Sequence, residues 1–425
     1  MSSKAKRVVI IGGGVSGLSC ARHLHANGVK FTLLEAADRI GGRVQTDKKD
    51  GYLMDRGFQV LQTAYPEARR SLDYSRLNLR SFAPGAMVRI HRRFYTIADP
   101  LRKPKHLLQT LTAPIGTLAD RFRLLRLVRQ VTAVPLEMLF QQDEKPAMDF
   151  LKAEGFSRRM IQRFFVPFFG GVCLDPQIRA SSRVLKYVLR MFAQGDAALP
   201  RDGMVQIPRQ LIRGLPENSI RTGVQVRRVV EGRVVLDDGT RLPSPAIVLA
   251  TDGPETRKLL GLPKTDGSIS ETCLYFAGNR TDRHGPFLML NGVQTGLVNN
   301  VAIPSEVSEA YAPEGKLLIS IVVLGNPEMD DTQLSRLVRS QLIEWFGSEA
   351  IGWKHLATYR IKHALPDQSP PTKDPTRMNP VVRPGIFACG EYGGLPGLQW
   401  SMVSGRKAAE AVKNHLADNT NSAVK

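Results

Sequence analysis

Gly12, Gly14 and Gly17 follow the spacing Gly-x-Gly-x-x-Gly, directly after the apolar run Val8-Val9-Ile10-Ile11. A helix-like segment runs on to Asn27 and Gly28, and a second apolar run, Phe31-Thr32-Leu33-Leu34, ends on Glu35. In this strand–turn–helix–strand setting each glycine has a separate task. Gly12 permits the tight turn, Gly14 lets the backbone approach a pyrophosphate, and Gly17 lets the helix pack on the strand. The start of the helix offers unpaired N–H groups and the positive end of its dipole to phosphate. A carboxylate at Glu35 is placed to accept bonds from both ribose hydroxyls of an adenosine. Together these residues predict a dinucleotide site.

Asp38-Arg39-Ile40-Gly41-Gly42-Arg43 follows at once. Two glycines beside two arginines offer backbone and guanidinium groups to phosphate a second time. A nicotinamide dinucleotide does not need this; the longer FAD does. Tyr52-Leu53-Met54-Asp55 reads as a strand entering the turn Arg56-Gly57-Phe58-Gln59, and Gly385 to Glu391 as another strand ending on glycine and acid. Gly397 to Glu410 reads as a helix. Its amino end, aimed at a flavin, would stabilise the negative charge that a reduced flavin carries around N1 and the C2 oxygen. A C-terminal surface helix is the alternative for residues 397–416.

On Gly12–Gly17, Glu35 to Arg43, Gly57-Phe58-Gln59 and Gly390 to Glu410, the chain resembles the superfamily of FAD-dependent amine oxidases, protoporphyrinogen oxidases and phytoene desaturases. Within it the chain is more similar to the desaturase-like branch. The motifs bracket nearly the whole chain, and the middle matches loosely. The resemblance implies an α/β fold: a discontinuous Rossmann-type FAD-binding domain with an α+β substrate domain made of two insertions. It implies cofactor contacts from Gly12, Gly14, Val15, Ser16, Gly17, Glu35, Ala36, Gly42, Arg43, Gly57, Phe58, Gln59, Val226, Gly390, Glu391, Leu398, Gln399 and Met402. Glu35 would bind the adenosine ribose, Arg43 would lie by the pyrophosphate, and Val226 would meet the adenine through its backbone. Glu391 would replace the usual Asp at the ribityl chain, and Leu398, Gln399 and Met402 would lie along the flavin. Two departures stand out. Trp400-Ser401 replaces a small Gly-Ala pair, which sets an indole at the flavin edge. Gly397 replaces an aromatic residue of the amine oxidases, which argues against an amine substrate. No cysteine occupies the position of the family's covalent flavin tether, so FAD is expected to be non-covalent.

The chain has 425 residues, 42% of them apolar, which suits two domains with real cores. Residues 1–75, 200–262 and 355–416 are expected in the FAD-binding domain, 76–199 and 263–354 in the substrate domain, and 417–425 in a frayed tail. Strand patterns mark Val224–Val230, a hairpin through Glu231-Gly232, Ala246–Ala250, and runs at Leu288, Leu297 and Leu317; a helix is expected near Gln333–Phe346. Prolines 366, 370, 371, 375, 380 and 384 mark a long irregular loop. Cys20, Cys173, Cys273 and Cys389 are widely spaced and the eight histidines form no ligand pattern, so free thiols, a reducing compartment and no metal site are expected. No apolar run approaches the roughly 20 residues that span a bilayer. Lys4, Lys6 and Arg7 precede an apolar stretch, but that stretch is the glycine fingerprint itself, so a signal peptide is not expected. A cytoplasmic protein, peripheral on a membrane at most, is the expectation.

The net charge of +20 is concentrated: residues 69–131 hold fourteen Lys and Arg against three Asp. Asp120 to Val131 can be drawn as a basic amphipathic helix, with Leu124, Leu125, Leu127, Val128 and Val131 on one side and Arg123, Arg126 and Arg129 mostly on the other. Such a helix can lie on an anionic membrane, or simply face a core with a solvated charged side. No nucleic-acid-binding motif accompanies the charge, so nucleic acid is not an expected partner. The expected partner is a small apolar organic molecule, isoprenoid or tetrapyrrole-like, giving up a hydride to the flavin. This reaction obliges no side chain to act as acid or base, and only Lys362 and His363 are singled out for testing. A soluble amine oxidase, and a flavin-binding membrane-surface protein without turnover, are the alternatives.

Overall fold

Val8–Ile11 and Phe31–Leu34 are buried along nearly their whole length, as strands covered on both faces must be. The computed structural model describes residues 7–99, 102–263, 267–281, 284–392 and 394–424. In it both strands lie inside a six-stranded sheet. The order is Ile220–Arg221, Phe31–Leu34, Val8–Ile11, Ile247–Leu249, Ile386–Ala388 and Val381–Arg383. Every pair is parallel except the last. The chain direction of the connections reverses at Val8–Ile11, so the crevice at the carboxyl end of that strand is the natural place for a ligand.

Two helices cross at this sheet, Val15–Ala26 and Leu398–Val424. Small residues allow the close approach. A Cβ on Gly405 would strike the Ser16 carbonyl oxygen, and the Ser19 hydroxyl donates to the Met402 carbonyl at 2.9 Å. The C-terminal helix continues through Val424, so residues 417–424, expected as a frayed tail, are helical.

A second sheet has seven strands, in the order Lys354–Pro366, Ser268–Asn279, Lys316–Leu324, Val298–Ala302, Leu288–Asn291, Gly85–Ile90 and Arg93–Ala98. The helix Asp331–Phe346 buries Leu334, Val338, Leu342 and Trp345 against it, a spacing that puts all four on one side. One expectation needs correcting here. Residues 355–366 pair with Ser268–Asn279 and so belong to this sheet rather than to the nucleotide sheet. Within 76–199, the strand Gly85–Ile90 of the hairpin 85–98 pairs in parallel with Leu288–Asn291. Edge pairing of this kind is set by the partner strand, which lies some 200 residues away in sequence.

The remainder of 76–199 forms a helical layer with its own core, rich in phenylalanine: Phe140, Phe150, Phe156, Phe165 and Phe169 are all buried. Trp400 joins this core. Its ring meets Phe140 edge-on at 5.4 Å and Tyr187 at 5.5 Å. The indole expected at the flavin edge is therefore taken up by aromatic packing. The basic helix spans Leu118–Ala133 and starts at a capping box in which Thr117 and Asp120 bond each other's backbone. Leu127 and Val131 are its inward anchors, whereas Leu125 is 45% exposed. The apolar residues drawn on one side thus divide between core and solvent.

Candidate cofactor site

Gly12 adopts φ +109°, and a Cβ there would come within 2.6 Å of the Ala250 carbonyl oxygen. On Gly17 a Cβ would strike the Gly12 carbonyl oxygen. Gly12 is therefore required by its backbone angle and by the end of the neighbouring strand at Ala250, and Gly17 by the turn itself. Gly14 is different: a Cβ there would meet nothing within 4 Å. It is the N-cap of Val15–Ala26, it makes no side-chain cap bond, and the first turn holds no acidic residue. The open space lies where the helix presents free N–H groups, the arrangement that takes an anion.

The second glycine pair is joined to this turn. The Gly41 N–H donates to the Gly13 carbonyl at 2.8 Å, and a Cβ on Gly42 would sit 3.2 Å from the Gly14 Cα. The Glu35 carboxylate is oriented by two backbone donors, Gly13 N–H at 2.6 Å and Ala37 N–H at 2.8 Å. The Glu35 and Ala37 carbonyls also accept from Val224 and Gly223. That brings the strand Val226–Val230, and with it Val226, beside the ribose position. Ala36 is exposed on the same loop.

The far end of the site is assembled from three distant segments. The Arg43 guanidinium pairs with Glu391 and donates to the Ala364 carbonyl at 2.7 Å. Arg43 thus faces Glu391 and the second sheet rather than the helix start, because the Glu391 carboxylate and the His363 and Ala364 carbonyls compete for it. The Gln59 amide donates to the carbonyls of Arg43 and Arg56 at 2.7 and 2.9 Å. Phe58 turns its ring edge-on to Phe82 at 6.1 Å. Gly57 has φ +93° and lies against Ile361 and Glu271. Gly390 donates its N–H to Ser404, and a Cβ there would be 3.2 Å from the Ser16 hydroxyl.

The three residues of the last helix separate. Leu398 is partly exposed at its start. Gln399 is buried, with its amide oxygen accepting the Glu67 N–H at 2.9 Å, and Met402 is fully buried in the core. The Met402 carbonyl accepts from the Ser19 hydroxyl. Of the two residues singled out for testing, Lys362 is exposed, whereas the His363 Nδ1 is buried without a hydrogen-bond partner beside Arg43.

Two groups were not anticipated. Asp47 gathers Arg39, Arg56 and Tyr359. Burial pushes its carboxyl up, but these donors outweigh burial and hold it down at about 2. Glu271 is buried in the second sheet, and its Oε1 accepts the Phe58 N–H at 3.1 Å. A lone acid inside the uncharged run Ser268 to Gly278 was the available signal.

An uncapped helix start, a glycine with open space before it, an oriented acid at Glu35 and a second glycine pair beside the turn fit the adenosine and pyrophosphate of FAD. The comparisons agree. Over 104 residues the chain is 34% identical to coproporphyrinogen III oxidase of Bacillus subtilis, which covers 22% of each chain. Over 177 residues it is 25% identical to protoporphyrinogen oxidase 2 of Arabidopsis thaliana, covering 42% of this chain and 32% of that one. The chain thus matches less than two thirds of the length of these relatives. In fold it is similar to the crystal structure of an oxidoreductase from Methanosarcina mazei, with a TM-score of 0.72 at 16% identity over 96% of this chain and 100% of that one. The flavin-containing amine oxidoreductase family matches residues 15–413, so the chain belongs to that family and is an FAD-dependent oxidoreductase.

Proposed function

We propose that the enzyme dehydrogenates an apolar, isoprenoid- or tetrapyrrole-like substrate drawn from an anionic lipid surface. The observation that carries this reading is a solvent-facing apolar set on two successive helices. Leu107, Leu108 and Leu111 are exposed on Leu107–Thr112, and Leu118, Phe122 and Leu125 on Leu118–Ala133. The Arg121 guanidinium ties the two helices by donating to the Ala113 carbonyl at 3.1 Å. Large apolar side chains grouped on a surface favour a lipid or protein cover. They lie in the most basic stretch of the chain, which favours anionic headgroups. No helix among the described residues is long and apolar enough to cross a membrane, so the contact proposed is peripheral, from the cytoplasmic side.

FAD supplies the chemistry when bound, taking two electrons and a hydrogen from the substrate. The chain's own residues hold and orient it: Glu35 the ribose, the start of Val15–Ala26 with Gly41-Gly42 the pyrophosphate, and Arg43 with Glu391 the middle of the molecule. Gly397 is exposed and puts no aromatic wall at the head of the last helix, which supports a C–H donor over an amine. The names of the tetrapyrrole-oxidising relatives point the same way. The test is anaerobic bleaching of the bound flavin. A porphyrinogen or an isoprenoid dispersed in anionic vesicles should bleach it, and polyamines and aromatic amines should not. Bleaching by amines alone would overturn this reading in favour of an amine oxidase.

A further inference from the structure

Glu271 sits where the pairing of Ser268–Asn279 with Lys354–Pro366 shifts register, between Ile269 and Glu271. Such an irregularity turns a side chain off the regular pleat. Here it sends the carboxyl out of the second sheet and onto the Gly57-Phe58-Gln59 loop. Oε1 accepts the Phe58 N–H, and Oε2 lies 3.3 Å from where a Cβ on Gly57 would stand. The charged and titratable groups around it are committed elsewhere. Arg56 and Tyr359 bond Asp47, Arg43 pairs with Glu391, and Asp55 accepts from Thr46 and Tyr311. Cys273 on the same strand is a buried thiol that burial keeps protonated. Among the described residues, then, one backbone N–H is the sole hydrogen-bond donor to this carboxyl. Burial raises it to about 7, against the pull of that one bond, so it can gain or lose a proton near neutrality.

We propose that Glu271 is a positioning residue that takes up a proton as the flavin is reduced, tying the charge of the Gly57–Gln59 loop to the redox state of the cofactor. The inference rests on the FAD reading of the site. Dehydrogenation removes two electrons and two hydrogens from the substrate. One hydrogen passes with both electrons to the cofactor, and the other leaves as a proton. That proton goes to solvent, and as the cofactor gains negative charge the carboxylate takes a proton from solvent: an O–H bond forms and the side chain against the Gly57–Gln59 loop becomes neutral. When oxygen or a quinone takes back the two electrons and the transferred hydrogen, Glu271 gives its proton to solvent and the acceptor takes its second hydrogen from solvent.

The experiment needs no substrate. The FAD-loaded protein is photoreduced in weakly buffered solution with a pH indicator, as wild type, Glu271→Gln and Glu271→Asp. Gln preserves an acceptor for the Phe58 N–H, and Asp preserves the carboxyl. Above about pH 7 the wild type should take up about one proton more per flavin than Glu271→Gln, with Glu271→Asp recovering the difference; below about pH 6 all three should agree. Equal uptake by wild type and Glu271→Gln overturns the proposal. If Glu271→Gln does not fold, a wild-type uptake with no step above pH 7 overturns it equally. Wild type that binds no FAD would instead overturn the reading of the site.

Discussion

The Glu35 Oε2 accepts the Gly13 N–H at 2.6 Å, so the acid that closes the second strand is fastened to the turn that closes the first. This orients the carboxylate before the space beside Gly14, and Ala37 holds its other oxygen. Glu35→Ala removes an ionised acceptor from the ribose. FAD affinity of the apoprotein should fall by about 10- to 100-fold, within the range of about 1.5 to 3 kcal/mol for hydrogen bonds to a charged group. Titration of flavin fluorescence checks this, and unchanged affinity would remove Glu35 from the site.

Gly14 and Gly17 should separate folding from binding. A Cβ on Gly14 meets no protein atom within 4 Å, whereas one on Gly17 strikes the Gly12 carbonyl. Gly14→Val should therefore melt close to the wild-type apoprotein yet lose at least about tenfold in FAD affinity, the equivalent of ~1.4 kcal/mol. Gly17→Val should lose stability even without FAD. Thermal melts with and without added FAD distinguish the two; a Gly14 variant that binds FAD normally would show that the pyrophosphate lies elsewhere.

Asp55 gives a pH signature. It is fully buried, with Tyr311 and the Met204 N–H bonded to it at 2.8 and 3.1 Å. Burial raises its carboxyl from 3.8 to about 6, more than the bonds from Thr46, Tyr311 and Met204 lower it. The folded state thus holds this proton more tightly than the unfolded chain. The resulting stabilisation is complete below about pH 4 and lost as pH rises through about 6, by at most about 3 kcal/mol. Asp47 acts in the opposite sense and in a different window, since its carboxyl is held down at about 2 and its contribution fades only as pH falls below about 4. Melts of Asp55→Asn should show a smaller decline between pH 4 and 6 than the wild type, the remainder coming from Glu271, whose carboxyl burial raises in the same sense. An identical decline in both would mean that Asp55 does not carry it.

The apolar surface has its own test. Phe122→Asp with Leu125→Asp replaces two exposed side chains, so the fold and the flavin spectrum should persist. Flotation with anionic vesicles should fall several-fold, and raising the salt should weaken binding of the wild type as well. Vesicle binding that survives both changes would place the contact on another face.

The nucleotide turn was legible in the sequence because its requirements are local. Gly12 is required by its positive φ and Gly17 by the Gly12 carbonyl five positions back, and buried strands on either side declare themselves by composition. The same reasoning found Glu35, Gly41-Gly42 and the C-terminal helix. It could not say what those elements touch. Periodicity placed Leu125 with Leu127 and Val131, but which of them met the core depended on helices packed from other parts of the chain. Trp400 read as a flavin neighbour until Phe140 and Tyr187 were seen to claim it. Residues 355–366 read as nucleotide-domain chain until Ser268–Asn279 paired with them. Glu271 and Phe58 are 213 residues apart, and Arg43 is still farther from Glu391. Those meetings depend on strand register across two sheets, a long-range property that no local spacing encodes, and they decide where the buried charges of this enzyme lie.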